Sequence, residues 1–147
     1  MKKNLFFAIF IAISAVLIIT SCKDEKKEMI ESLNYKKACD LKDFSTAYEI
    51  VEKLKKEAFE AKHTKWAGDG SSIILDKENK YKEAEKYVVL QEAITVIEES
   101  GTNGLVRIVG IAKEHDAESW LYEELLDVAR KIGDTDLTEE IIKILSS

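Results

Sequence analysis

From Glu28 onward the apolar residues of this chain return every three or four positions, with lysine and glutamate between them. That is the period of an amphipathic helix. The stretch EMIESLNYKKACDLKD carries Met29, Ile30, Leu33, Ala38 and Leu41 on this pattern and breaks near Lys42–Asp43. FSTAYEIVEKLKKEAFEAKHTKW then places Phe44, Ala47, Tyr48, Val51, Leu54, Ala58 and Phe59 on one stripe. AGDGSSIIL interrupts, with Gly68 and Gly70 beside serines. Ser71 to Leu75 reads either as a short strand or as a plug into the core. The longest helix is predicted from about Asp76 to Ser100, with Tyr81, Ala84, Tyr87, Val88, Leu90 or Gln91, Ile94 and Ile97 inward and Gly101 as its terminator. NGLVRIVGIAKEH predicts a short helix over Leu105–Ala112, apolar on both sides and therefore central. Its β-branched residues leave a buried strand as the alternative. DAESWLYEELLDVARKIGD predicts a helix capped by Asp116 and stopped at Gly133, burying Trp120, Leu121, Leu125, Val128, Ala129 and Ile132. TDLTEEIIKIL supplies the last one, starting near Thr135 or Asp136, with Leu137, Ile141, Ile142 and Leu145 inward. The chain has no proline, the strongest helix breaker. The expected fold is all-α: a compact bundle of about six helices arranged as helical hairpins.

Two segments repeat one another. ACDLKDFSTAYEIVEKL (Ala38 to Leu54) aligns without a gap on ARKIGDTDLTEEIIKIL (Ala129 to Leu145). Ala38 meets Ala129, Leu41 meets Ile132, Asp43 meets Asp134, Ile50 meets Ile141, Val51 meets Ile142 and Leu54 meets Leu145. Ala38, Leu41, Asp43, Phe44 and Ala47 at this spacing resemble the helix–turn–helix of tetratricopeptide-like repeats. The second copy departs from that pattern, with Thr135 and Thr138 where it calls for an aromatic and an alanine. Neither copy has the large-residue signature of the first repeat helix. The resemblance implies stacked hairpins, and with so few units a compact bundle.

Ahead of this domain, Lys2 and Lys3 precede an uncharged, apolar run from Asn4 to Ser21, the layout of a secretory signal. Its strongly apolar part, Leu5 to Ile19, falls short of the roughly 20 residues that span a bilayer. Ile19, Thr20 and Ser21 lead into Cys22, which resembles the lipobox of bacterial lipoproteins. The resemblance implies that the Cys22 thiol takes a diacylglyceryl group and that the chain is cut before it. Residues 1–21 would then be signal peptide, 22–28 a flexible tether and 29–147 a single helical domain. The tether segment KDEKKE has no apolar residue to offset the entropy of ordering it. Lys23, Asp24 and Glu25 behind the cysteine resemble the surface-export signal of Bacteroidota lipoproteins. That implies attachment to the outer membrane by palmitate-like acyl chains, with outward display as the further expectation. More than one acyl chain is needed for stable anchoring.

Charge and cysteine content narrow the functional classes. The chain carries −6, and −8 once Lys2 and Lys3 leave with the signal. Such a balance argues against nucleic acid, whose backbone favours basic faces, and against docking on anionic lipid, so the acyl anchor alone would hold the membrane. With Cys22 acylated, Cys39 has no partner within the chain and reads as a small packed residue, with an intermolecular disulfide or a reactive thiol as the alternatives.

Motifs for chemistry are missing. His63 and His115 stand without a second histidine or cysteine at ligand spacing, and no zinc-protease, phosphate-loop, nucleophile-elbow or dinucleotide motif occurs. GDGSSIILDKE opens like a calcium loop, but Ile73 and Leu75 fall where oxygen ligands are needed. No catalytic residue, metal ligand or cofactor is therefore assigned. One spot differs from its surroundings: Lys53, Lys55, Lys56, Lys62, His63 and Lys65 gather ahead of Trp66 in an otherwise acidic protein. Lys62, His63, Lys65 and Trp66 form the candidate contact patch, with Trp66 as an anchor of the kind found at binding hot spots. The expected function is a non-catalytic, lipid-anchored interaction module for a protein partner, an adaptor or an immunity-like inhibitor. The alternative is a lipoprotein that binds a small ligand or glycan through the 66–75 loop.

Overall fold

The structure, a computed structural model, describes residues 23–63 and 70–146. Residues 23–31 are helical (α1). They are followed by α2 (Tyr35–Asp40), α3 (Phe44–His63), α4 (Gly70–Ser100), a 3-10 turn (Gly101–Gly104), α5 (Leu105–Glu114), α6 (Glu118–Ile132) and α7 (Thr135–Leu145). No strand occurs among the described residues, and the expected all-α bundle is what forms.

The junctions share one design. Leu33, Lys42, Asp116 and Gly133 adopt the left-handed conformation, with φ of 55°, 56°, 49° and 76°. In each case the next residue sends its N–H back five positions to the helix just ended. Asn34 donates to Met29 (2.9 Å), Asp43 to Ala38 (2.9 Å), Ala117 to Ala112 (2.8 Å) and Asp134 to Ala129 (3.1 Å). This bond closes the carbonyl end of a helix in the Schellman manner. Three of those residues then open the following helix. The side chains of Asn34, Asp43 and Asp134 accept from the N–H of Lys37, Thr46 and Leu137 at 3.1, 3.1 and 3.0 Å. One residue thus satisfies orphan groups of two helices. Asp116, expected to cap α6, occupies the left-handed position instead, and Ala117 behind it has no side chain to cap with.

The two aligned segments form matching hairpins, α2–α3 and α6–α7, with Ala38 and Ala129 both fully buried beneath the turn. Each hairpin belongs to its own hydrophobic cluster. One gathers Met29, Ala38, Ile50, Leu54, Ala84 and Val88; the other gathers Ala93, Ile108, Leu121, Leu125, Leu137 and Ile141. Helix α4 runs through both, which explains why Val88, Val89, Ala93, Val96 and Ile97 are all buried although they do not lie on one stripe.

Several expectations need correction. Residues 23–28, read as part of a flexible tether, are helical; Lys26 pairs with Glu49 at 3.1 Å, Glu25 with Lys37 at 3.2 Å, and Met29 is buried. Ion pairs with α2 and α3 replace the apolar contacts that this segment lacks. Ser71 to Leu75 is neither strand nor plug but belongs to α4, with Ile73 and Leu75 exposed. Helix α5 is buried on one side only, through Ile108, Ile111 and Ala112, while Val106 is 85% exposed. Leu41, Phe59, Ile132, Ile142 and Leu145 lie outside the core.

Candidate functional site

The α3–α4 hairpin outgrows the bundle. Ala58 is the last fully buried residue of α3, and Ala84 the first among the described side chains of α4. Between them, residues 59–63 and 72–83 form an overhang in which no side chain is fully buried. Phe59 is 62% exposed, and Ile73 and Leu75 are similarly open. The Phe59 ring stacks on the His63 imidazole, centroids 4.0 Å apart. His63 Nδ1–H donates to the Phe59 carbonyl at 2.9 Å. A carbonyl can only accept, so this bond requires the proton on Nδ1.

The candidate contact patch is divided by this geometry. Lys62 and His63 sit at the overhanging end of α3, and Lys62 crosses to Glu78 of α4 at 3.6 Å. Lys65 and Trp66 lie outside the described residues. The lysines before them are matched rather than massed: Lys53 donates to the Ile30 carbonyl at 3.2 Å, Lys55 meets Glu52 at 3.6 Å, and Lys56 meets Glu60 at 3.9 Å. Exposed ion pairs of this kind contribute about 0–1 kcal/mol each; they offset the charges of Lys55 and Lys56. What remains distinctive about the tip is apolar. At the other end of the chain, Cys22 lies outside the described residues, Lys23 and Asp24 are exposed, and Glu25 is held by Lys37.

A second grouping, not foreseen from the sequence, lies where α3, α4 and α5 meet. Tyr48 O–H donates to Glu92 Oε2 at 2.8 Å, and Arg107 Nη2 donates to Glu92 Oε1 at 3.0 Å. The Tyr48 ring lies nearly parallel to His115, 4.8 Å away, and His115 Nδ1 stands 3.6 Å from Glu85. Burial, and then the hydrogen bond to Glu92, push the Tyr48 hydroxyl well above its ordinary range. It therefore stays protonated and donates. Each Glu92 oxygen accepts one of these bonds, and the cluster acts as a clamp between the two cores, each of which Tyr48 touches. No spacing rule links Tyr48, Glu92, Arg107 and His115, so the sequence carried no signal for it.

Among the described residues, no group of three or more His, Cys, Asp or Glu side chains is arranged to hold a metal ion. No described helix is long and apolar enough to cross a membrane. An open groove of about 440 Å³ lies between α5, α6 and α7, lined by Val109, Lys113, Glu118, Ser119, Tyr122, Ile144 and Leu145. Aromatic rings also meet α4: Tyr35 contacts Tyr87 edge-on at 5.6 Å, and Lys86 lies 5.0 Å over Trp120. Comparison of the chain with protein-family models, curated proteins and solved structures finds no match.

Proposed function

We propose that this protein is a lipid-anchored module of the cell envelope that binds a protein partner and carries out no chemistry of its own. The single observation supporting it is the α3–α4 overhang, which holds Phe59, Ile73 and Leu75 in solvent beyond the bundle. Exposed apolar side chains gathered at one end of a fold mark interaction sites, and aromatic anchors such as Phe59 carry much of the energy in protein interfaces. The anchor is assigned to Cys22 through its lipobox-like setting, with outer-membrane attachment and outward display resting on Lys23, Asp24 and Glu25. The small-ligand alternative loses ground, because residues 70–75 of its loop are helical.

The test is cross-linking in cells that make the tagged protein, followed by purification from membranes beside Cys22→Ala and Phe59→Ala versions. One protein recovered in near-equal amount with the unaltered chain, and lost with both variants, is the expected result. Recovery of nothing specific would remove the reading.

A further inference from the structure

Tyr35 on α2 and Tyr87 on α4 form a corner. Their ring planes meet at 67° with centroids 5.6 Å apart. Both rings are half-buried and pack against the first hydrophobic cluster, which roots them in the core and fixes the angle between them. The Lys36 ammonium lies 5.9 Å from the Tyr35 centroid and 5.4 Å from the Tyr87 centroid. The three distances make a nearly equilateral triangle, so one cation addresses both rings.

Two carboxylates flank this corner. Asp40 stands four residues after Lys36, the spacing of a helical ion pair, yet among the described residues no ion pair joins them and the lysine lies over the tyrosines instead. Glu83, one turn before Tyr87, likewise has no ion-pair partner among the described residues. Both are close enough to act on the rings. Burial, and then Glu83, raise the Tyr35 hydroxyl above its ordinary range, and burial and then Asp40 do the same for Tyr87. The hydroxyls stay protonated, so the rings remain neutral faces for a cation.

Lys36 fills this place imperfectly. It is exposed, and as the residue next to Tyr35 its stem leaves the helix about 100° away, so the amine must bend back. It satisfies neither carboxylate. The chemistry of the corner favours arginine over other cations. A quaternary ammonium has no N–H to give Asp40 or Glu83, and a lysine is a compact point charge. A guanidinium is flat, so it stacks on one ring while its edge directs N–H groups to carboxylates. At −6 the chain attracts a basic segment instead of repelling it, and arginine is one of the side chains that anchor protein interfaces. We propose that the Tyr35–Tyr87 corner, with Asp40 and Glu83, docks an arginine side chain of a partner protein, which displaces Lys36 from the rings. Tyr87 lies about three turns of α4 from Leu75, within the bundle, so this surface requires neither the α3–α4 tip nor the lipid anchor.

The test is NMR of the full-length protein in non-ionic detergent, with its tyrosine rings labelled. The titrants are end-blocked glycyl-arginyl-glycine, its lysyl counterpart and tetramethylammonium. The Tyr35 and Tyr87 signals should move saturably with the arginyl peptide while that of the buried Tyr122 stays in place. The lysyl peptide should bind about threefold more weakly and tetramethylammonium about tenfold, since each loses hydrogen bonds to the carboxylates. Lys36→Ala removes the competitor and should tighten binding about threefold, whereas Lys55→Ala, an equal change of charge on α3, should leave it as it is. Glu83→Gln and Tyr87→Leu should each weaken it about tenfold. Glu83 is exposed, so its variant reads the corner with the fold intact, and Tyr87→Phe keeps the ring and should bind like the natural chain. Unmoved Tyr35 and Tyr87 signals, equal movement of every tyrosine, or binding indifferent to Glu83→Gln overturns the proposal. So does a Lys36→Ala protein that binds no tighter than Lys55→Ala. Tetramethylammonium binding more tightly than the arginyl peptide overturns it too, since the corner would then fit a choline-type headgroup.

Discussion

The Cys39 thiol is buried beside Ala38, and burial, followed by the nearby Asp40 and Glu92 carboxylates, pushes it up to about 12 from an ordinary value of 9. A thiolate is the reactive form, so Cys39 should resist alkylation by iodoacetamide in the folded protein and react fully once denaturant is added; rapid labelling without denaturant would refute this. The same shift sets a sign for stability. A group that holds its proton more tightly when folded contributes stability that is complete below pH 9 and is lost as pH rises toward 12. Tyr48, raised in the same direction, adds to that loss. Melting temperatures should therefore fall above pH 9, and less steeply in Cys39→Ala. Lys42 offers a change of opposite sign. Its φ of 56° strains a residue whose ion pair with Glu99 is exposed. Lys42→Gly should stabilise the protein by about 1 kcal/mol in chemical denaturation. Leu33 shares the conformation, but its side chain packs against the core, and the same substitution there would forfeit that contact. Gly133 was legible as a stop because glycine announces the left-handed turn; Lys42, Leu33 and Asp116 hold the same turn without announcing it.

At the scale of elements, the caps are the first place to test. Asp43 accepts from the Thr46 N–H and, at 2.6 Å, from the Thr46 hydroxyl, and Thr46 is completely buried. Asp134 makes the N–H bond to Leu137 alone. Replacing a cap costs about 1 kcal/mol, and stranding a buried hydroxyl costs about 1–3 kcal/mol more. Asp43→Ala should thus destabilise more than Asp134→Ala; equal effects in urea melts would show that the Thr46 hydroxyl finds another partner. The 3-10 turn after α4 is a second test. A Cβ on Gly104 would come within 2.6 Å of the Val96 Cγ1 and 3.0 Å of the Val96 carbonyl oxygen. Gly104→Ala should therefore cost about 1–3 kcal/mol, with wild-type stability as the result that would refute the close packing. The helical period made α3, α6 and α7 readable, since each has one buried stripe. It failed for α4, where burial by two cores spreads apolar residues around the helix and blurs its face. It failed again for Ile73 and Leu75, whose hydrophobicity reads as core when the overhang carries them past it.

For the whole molecule, the bundle and its paired hairpins follow from period and repeat, whereas what each surface faces does not. Composition could not show that Lys55, Lys56 and Lys62 each face a glutamate, because that depends on which side chains the fold brings together. The same three-dimensional relation governs how the protein would stand on a membrane. Lys26 reaches Glu49, and Lys53 reaches the Ile30 carbonyl, so α1 runs beside the first half of α3 in the same direction. Residue 23, the first after the proposed lipid site, is already helical. At ~1.5 Å per residue, the far end of α3 stands about 25 Å beyond the level of residue 23. An anchored Cys22 should therefore hold the α3–α4 tip away from the bilayer, where a partner protein can reach it. A fluorophore placed through Lys27→Cys should be quenched by spin-labelled lipid headgroups in vesicles, and one placed through Lys62→Cys should not. The buried Cys39 will not compete for the label. Quenching at residue 62 would mean that the hairpin lies down, with Phe59, Ile73 and Leu75 contacting lipid, and the tip would then be a membrane contact instead of a partner site.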